Sequence, residues 1–288
     1  ECDLHQAPIK KFCKSCFRDK SVLDFSKTFD VIEGIKDLNV TFVFVHGGSA
    51  SRALFRAHAM ELKTKYGHGS ILLDLPGHGS LVDTPLSLDS CATTLEGVLN
   101  KCGLLGEKQS DRKVIYVGAS LGAYVGFHLL DKFQSLFDGA ILIDCGQNVG
   151  PGASFKAKAG LVMLSYMGNH MSNATLFGMM KDVTKRSGAD YKLMESTFGA
   201  GMFFDQAQEQ VDCLRAVAPA DKIPNLSLPI LFMNGTKDYR DSEDKWLELC
   251  TNEKSQLHDY EGGDHFFTHH SKFVDDILTR WHEFALNI

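Results

Sequence analysis

A serine hydroxyl between glycines, a histidine on a glycine loop and an aspartate just past a β-rich run can together carry acyl-transfer chemistry. The serine is Ser120, in Gly118-Ala119-Ser120-Leu121-Gly122. Its hydroxyl is a poor nucleophile at neutral pH until an adjacent base takes its proton. Gly262-Gly263-Asp264-His265 offers that base in His265, and Gly235-Thr236-Lys237-Asp238 offers Asp238 to orient the imidazole. The order Ser120, Asp238, His265 is the serine–acid–histidine order expected on a parallel α/β scaffold. Asp144, Asp205, Asp241 and Asp264 compete for the acid role. Of the other histidines, His46 and His78 sit in glycine turns, where holding loops together is the commoner job. His269 and His270 follow the glycine loop and are expected to begin the last helix. Activity is expected to rise as His265 loses its proton, near an ordinary histidine value of about 6.5.

The tetrahedral intermediate of such a reaction carries an oxyanion, which needs two aimed donors. His46-Gly47-Gly48-Ser49 follows an early apolar run and can offer the Gly48 N–H. Leu121, directly after the serine, can offer the second from the start of a helix.

These residues need a frame that brings distant segments together. Short β-rich runs of strand length lie at 39–45, 70–75, 114–117, 140–144, 229–233 and 256–260. Stretches with helical spacing lie at 52–65, 88–100, 121–133 and 271–286. The alternation predicts an α/β protein with a mainly parallel sheet and helices on both faces. Glycine on both sides of Ser120 then suits a sharp strand–turn–helix that exposes the hydroxyl. Residues 150–225 break the rhythm and hold seven of the nine methionines. They are expected to form a helical insertion, with Met163, Met167, Phe177 and Met202 lining a pocket for a hydrophobic, ester-like small molecule. The same residues could equally form the insertion's own core.

With these elements in place, the chain resembles the α/β-hydrolase-fold serine hydrolases of the lidded type. Four elements carry the resemblance, in family order: His46-Gly47-Gly48, Asp74-Leu75-Pro76-Gly77-His78-Gly79, the Ser120 turn, and Asp238 with His265. It implies the α/β-hydrolase fold and makes the insertion a cap. It also implies that the Asp74–Gly79 turn is structural and that catalysis needs no cofactor. Serine at the nucleophile position speaks against the epoxide hydrolases and haloalkane dehalogenases, which use aspartate there. The expected division is an arm over 1–38, core over 39–149 and 226–288, and cap over 150–225. A carboxylic ester, thioester or lactone is the expected substrate. The same residues could run lyase or carbon–carbon cleavage chemistry, because the scaffold does not fix the reaction. A ligand-binding protein or receptor on the same scaffold is the alternative.

The remaining features bound these readings. Thirty Lys+Arg against 36 Asp+Glu give a formal charge of −6, with no basic face for nucleic acid. No apolar run approaches the roughly 18 residues of a membrane span. Cys2, His5, Cys13 and Cys16 stand at zinc-like spacing and resemble the first half of a B-box zinc finger. Residues 17–40 hold none of the ligands of its second half. A structural zinc, a disulfide or uncommitted thiols all remain open there, as does an interaction module led by residues 1–16. The five later cysteines are scattered like buried thiols, which favours the cytoplasm. Sequons at Asn39, Asn173 and Asn225 keep secretion open. Nothing in the sequence sets the oligomeric state.

Overall fold

Five consecutive strands of a computed structural model are buried along their length, save for the partly buried Lys113 at the start of one, and their sequences are apolar nearly throughout. That is the signature of strands covered on both faces. The structure describes residues 24, 26–35, 40–105, 112–238 and 243–288. The proposed zinc ligands Cys2, His5, Cys13 and Cys16, like Asp241, lie outside the described residues.

In chain order come β1 (Phe29–Ile32), β2 (Val40–Val45), α1 (Arg56–Tyr66), β3 (Gly69–Leu73), α2 (Leu88–Lys101), β4 (Lys113–Ala119), α3 (Leu121–Phe133) and β5 (Gly139–Ile143). Four helices follow: α4 (Phe155–His170), α5 (Asn173–Ser187), α6 (Tyr191–Ala200) and α7 (Ala207–Ala216). The chain closes with α8 (Pro219–Lys222), β6 (Ile230–Gly235), α9 (Glu243–Leu249), β7 (Gln256–Tyr260) and α10 (Ser271–Asn287). The strands form one sheet in the order β1-β3-β2-β4-β5-β6-β7. All neighbours are parallel except β1, which pairs antiparallel with β3 at the edge, Val31 opposite Ile71. The expected α/β-hydrolase arrangement of sheet and flanking helices is therefore present.

Alternation along each strand divides the core in two. Val43 and Val45 pack with Leu95, Leu99, Phe127 and Trp246 on one face. Phe42 and Phe44 pack with Phe55, Leu62, Trp281 and Phe284 on the other. Helix ends follow local chemistry. Ser87 and Ser90 exchange side-chain and backbone bonds at 3.0 and 2.9 Å to start α2, and Gly67 ends α1 at φ 73°.

The chain between β5 and β6 is tied to the core at several points. The Phe203 N–H donates to Ser49 O at 2.9 Å, and the Asp190 N–H to His269 O at 2.8 Å. The Gln206 carbonyl accepts from Leu86 N–H at 2.7 Å, while its amide donates to Val82 O and Thr84 O at 3.1 and 3.0 Å. Below, Asp74 is wholly buried against Arg52 and accepts from the Arg52 N–H at 2.8 Å and from Ser80 at 2.9 Å. A Cβ on Gly79 would lie 2.2 Å from that carboxylate, which is why this turn carries glycine. Among the described residues, no helix is long and apolar enough to cross a membrane.

Candidate active site

Parallel strands leave their carboxyl ends on one edge of the sheet, and the loops there converge. Ser120 directly follows β4 in a backbone conformation of φ 50°, ψ −115°, and α3 begins at Leu121. Its neighbours explain the glycines. A Cβ on Gly118 would lie 2.5 Å from Gly122 O, and one on Gly122 would lie 2.3 Å from Val45 O. The Ser120 N–H donates to Ile143 O at 2.8 Å, which seats the turn on the neighbouring strand end.

Asp238 and His265 arrive on two loops that pack backbone against backbone. A Cβ on Gly235 would lie 2.4 Å from Gly263, and the Lys237 N–H donates to Gly263 O at 2.8 Å. The result is a continuous chain. His265 Nε2 lies 3.1 Å from Ser120 Oγ, and His265 Nδ1 lies 2.7 Å from Asp238 Oδ2. Of the three residues expected to work together, His265 is in hydrogen-bond reach of both others.

The histidines that competed for the base role are occupied. His46 Nε2 accepts from the Leu75 N–H at 3.0 Å, and His78 Nε2 from the Ser49 N–H at 3.1 Å. Each donates its Nδ1 proton to a nearby carbonyl, Gly47 O and Pro76 O, at 2.8 Å. Both hold loops. His269 does not begin the last helix but lies in the short Phe267–His269 turn before it, bonded to Leu54 O at 3.1 Å. Burial lowers His46 to about 4, and His78 and His269 to about 3.

His265 moves the other way. Burial pulls it down, but the Asp238 hydrogen bond and the surrounding carboxylates outweigh that and push it up to about 9. The expected value near 6.5 is therefore corrected. Asp144, a strand-end residue at φ 53°, reaches the same spot. Burial and the adjacent Asp238 hold the Asp144 carboxyl well above the usual carboxylate range. A proton on Asp144 removes its own pull on His265, so the upward shift rests first on the Asp238 contact at 2.7 Å. Asp144, Asp238 and His265 are also the one grouping of three ligand-type side chains among the described residues. Both ring nitrogens of His265 are already engaged, by Asp238 and Ser120, so it offers no free lone pair to a cation.

Gly48 and Leu121, the expected donors, line one cavity of about 170 Å³ together with Ser120, and a Cβ on Gly48 would lie 3.9 Å from Leu121 Cβ. A Cβ on Gly47 would meet Ser120 Cβ at 3.4 Å, so the glycine loop runs directly over the serine. A second cavity of about 260 Å³ opens from the same point. Gly48, Ser120, Asp144, Leu164, Gln210 and His265 line both. A larger recess of about 670 Å³ lies against β1 and shares no residue with either. Three described non-glycine residues have left-handed backbones, Ser49, Ser120 and Asp144, and all three line the second cavity. Strain of this kind concentrates where function requires it.

The expected pocket residues divide. Met202 lines the second cavity. Met163 does not: it is 63% exposed on the outer side of α4. Met167 and Phe177 are half-buried and also outside the lining, Phe177 packing edge-on against Phe198 at 5.9 Å. Helical phase is the reason. On α4 the inward positions are Leu161, Leu164 and Gly168, so Met163 and Met167 fall on other faces. The wall is built instead by Leu164, Met180, Met194, Phe198 and Phe204. Richness in methionine marked the segment, and only the 3.6-residue period could have marked the face. Thr184, Thr197 and Gln210, also in the wall, carry no such compositional signal.

A family model described as alpha/beta hydrolase family matches residues 42–277. No curated protein matches the chain. Among solved structures, an esterase from Exiguobacterium antarcticum superposes with a TM-score of 0.69 at 15% identity, covering 90% of this chain and 95% of that one. A thermophilic esterase from Thermogutta terrifontis gives 0.65 at 20% identity, with 89% and 93% covered. An enol-lactonase from Burkholderia xenovorans LB400 gives 0.67 at 12%, with 90% and 96% covered. At these identities the likeness is one of fold.

Proposed function

Because this chain belongs to the alpha/beta hydrolase family, we propose that it is a serine hydrolase of carboxylic esters, thioesters or lactones. Ser120 Oγ attacks the substrate carbonyl carbon as His265 Nε2 takes the hydroxyl proton. The carbonyl oxygen becomes an oxyanion facing the Gly48 and Leu121 N–H groups. The new Oγ–carbon bond persists as the bond to the leaving group breaks, and His265 returns the proton to the departing oxygen or sulfur. Water, deprotonated by His265, then releases the acid and restores Ser120. Asp238 holds the imidazole by Nδ1 and balances its charge. The helices over 155–216 act as the cap and give the acyl group its apolar wall.

One observation carries this reading: the unbroken contact from Ser120 Oγ through His265 to Asp238, at 3.1 and 2.7 Å. The esterase and lactonase likenesses lend it support at the level of fold. With His265 raised, the free base grows as pH rises, so kcat/KM should climb from neutral into the alkaline range. A fluorophosphonate probe should label the wild type and not Ser120→Ala, and p-nitrophenyl esters should turn over steadily. Unlabelled, folded wild-type protein would refute the assignment. A single burst without turnover would point instead to a binding protein on the same scaffold.

A further inference from the structure

Four of the buried polar atoms without a partner among the described residues belong to the lining of the 260 Å³ cavity. They are Asp144 Oδ1, Thr184 Oγ1, Thr197 Oγ1 and Gln210 Nε2. Thr184, Thr197 and Gln210 are 3%, 1% and 3% exposed, and they come from α5, α6 and α7 in turn. Three successive helices of the insertion thus each bring one buried, unanswered hydrogen-bonding group to a lining where their apolar neighbours include Met180, Met194, Phe198 and Met202, with Ser49, Thr268 and His269 elsewhere in it. Leaving such a group unpaired is costly, and folding alone gives no reason to accept that three times in one cavity. Valine fits where threonine does, and it would remove the cost.

Resting on the serine-hydrolase reading, we infer that the natural acyl group is not a plain hydrocarbon but an apolar chain carrying at least one further acceptor oxygen, such as a keto group. All three side chains can donate: two hydroxyls and an amide, the amide whichever way its ends are assigned. A keto oxygen accepts from such donors without bringing a charge into the apolar wall. The Gln210 amide also lies beside the loop over Ser120, since a Cβ on Gly48 would sit 2.6 Å from its Oε1. The donors therefore run from the reacting centre along the larger cavity, where an acyl chain would lie.

The test uses the p-nitrophenyl esters of octanoate and of 4-, 5-, 6- and 7-oxooctanoate. For wild type, at least one oxo ester should exceed the octanoate in kcat/KM by roughly tenfold, the worth of about one neutral hydrogen bond. Thr184→Val and Thr197→Val should each erode that ratio, while Thr184→Ser and Thr197→Ser, which keep the hydroxyl, should retain it. Met163→Ser, on the outer face, should leave the ratio alone. Equal rates for all five esters, or valine variants that keep the full ratio, would overturn the inference. If no ester is turned over, the serine-hydrolase reading fails instead. The polar wall is then read from Tm shifts of the wild type with the free acids: stabilisation by an oxooctanoate beyond octanoate upholds it, and equal shifts refute it.

Discussion

The strand-end loops and the helices over 155–216 face each other across one cavity, yet different forces hold them. Around Ser120 the backbone is fixed by contacts with no slack: Gly122 lies against Val45 O, Gly235 against Gly263, and His46 and His78 are locked between turns. The helical side is held by capped ends and a few ties such as Gln206, and it leaves large apolar side chains in the open. Phe155, Val162, Met163 and Tyr166 on α4 are 87, 58, 63 and 61% exposed. Chemistry needs atoms placed to within a few tenths of an ångström, which close-packed backbone supplies. Selectivity needs a wall that can change without disturbing those atoms, and helix faces supply that.

The sharpest way to break this contrast is at the serine. Ser120→Ala should lower kcat/KM for p-nitrophenyl octanoate at least about 10⁴-fold with no loss of Tm. A loss under tenfold would move the nucleophile elsewhere. Asp238→Asn should cost about 10³- to 10⁴-fold and draw the alkaline limb of the pH profile downward, since the main upward pull on His265 goes with it. Asp144→Asn should stay within about fivefold, because an amide stands in well for a protonated carboxyl. If the two variants exchanged effects, Asp144 would be the orienting acid.

Acid should act on the loop side. His46, His58, His78 and His269 are buried, and their pKa values lie at about 4, 4, 3 and 3. The unfolded chain binds their protons near pH 6.5, so stability is full above that and falls as pH drops toward 4. A decline in Tm of roughly 10 °C between pH 7 and 5 is expected, and a flat Tm would contradict the buried neutral rings. Smallest is the change on the helical side. Phe198→Ala should cost octanoyl esters roughly tenfold and acetyl esters little, whereas Met163→Ala should cost neither more than about twofold.

The same contrast decides what could be read from the sequence. The Ser120 turn was legible because its requirements are local: strand, glycine, serine, glycine, helix within a few residues. The buried parallel strands were legible from nearly continuous apolar runs, while β7, mostly polar and only partly buried, coincides with the β-rich run at 256–260. Strand β1, four residues long and half-buried at the edge, and the seven-residue α9 are too short to declare a period. Pocket residues were legible only as a region, since composition carries no helical phase. Gln210 reads as one more polar residue of an amphipathic helix until its burial is known. The elevated His265 was out of reach, because it depends on Asp238 arriving beside it from another strand end.

Three residues with left-handed backbones meet in one cavity, and none is glycine. Each such conformation costs an ordinary side chain of order 1 kcal/mol or more, which glycine would largely return. A lineage selected for heat resistance and nothing else would drift to Ser49→Gly, Ser120→Gly and Asp144→Gly. That this chain has not done so makes the hollow beside the serine the place where durability has been surrendered.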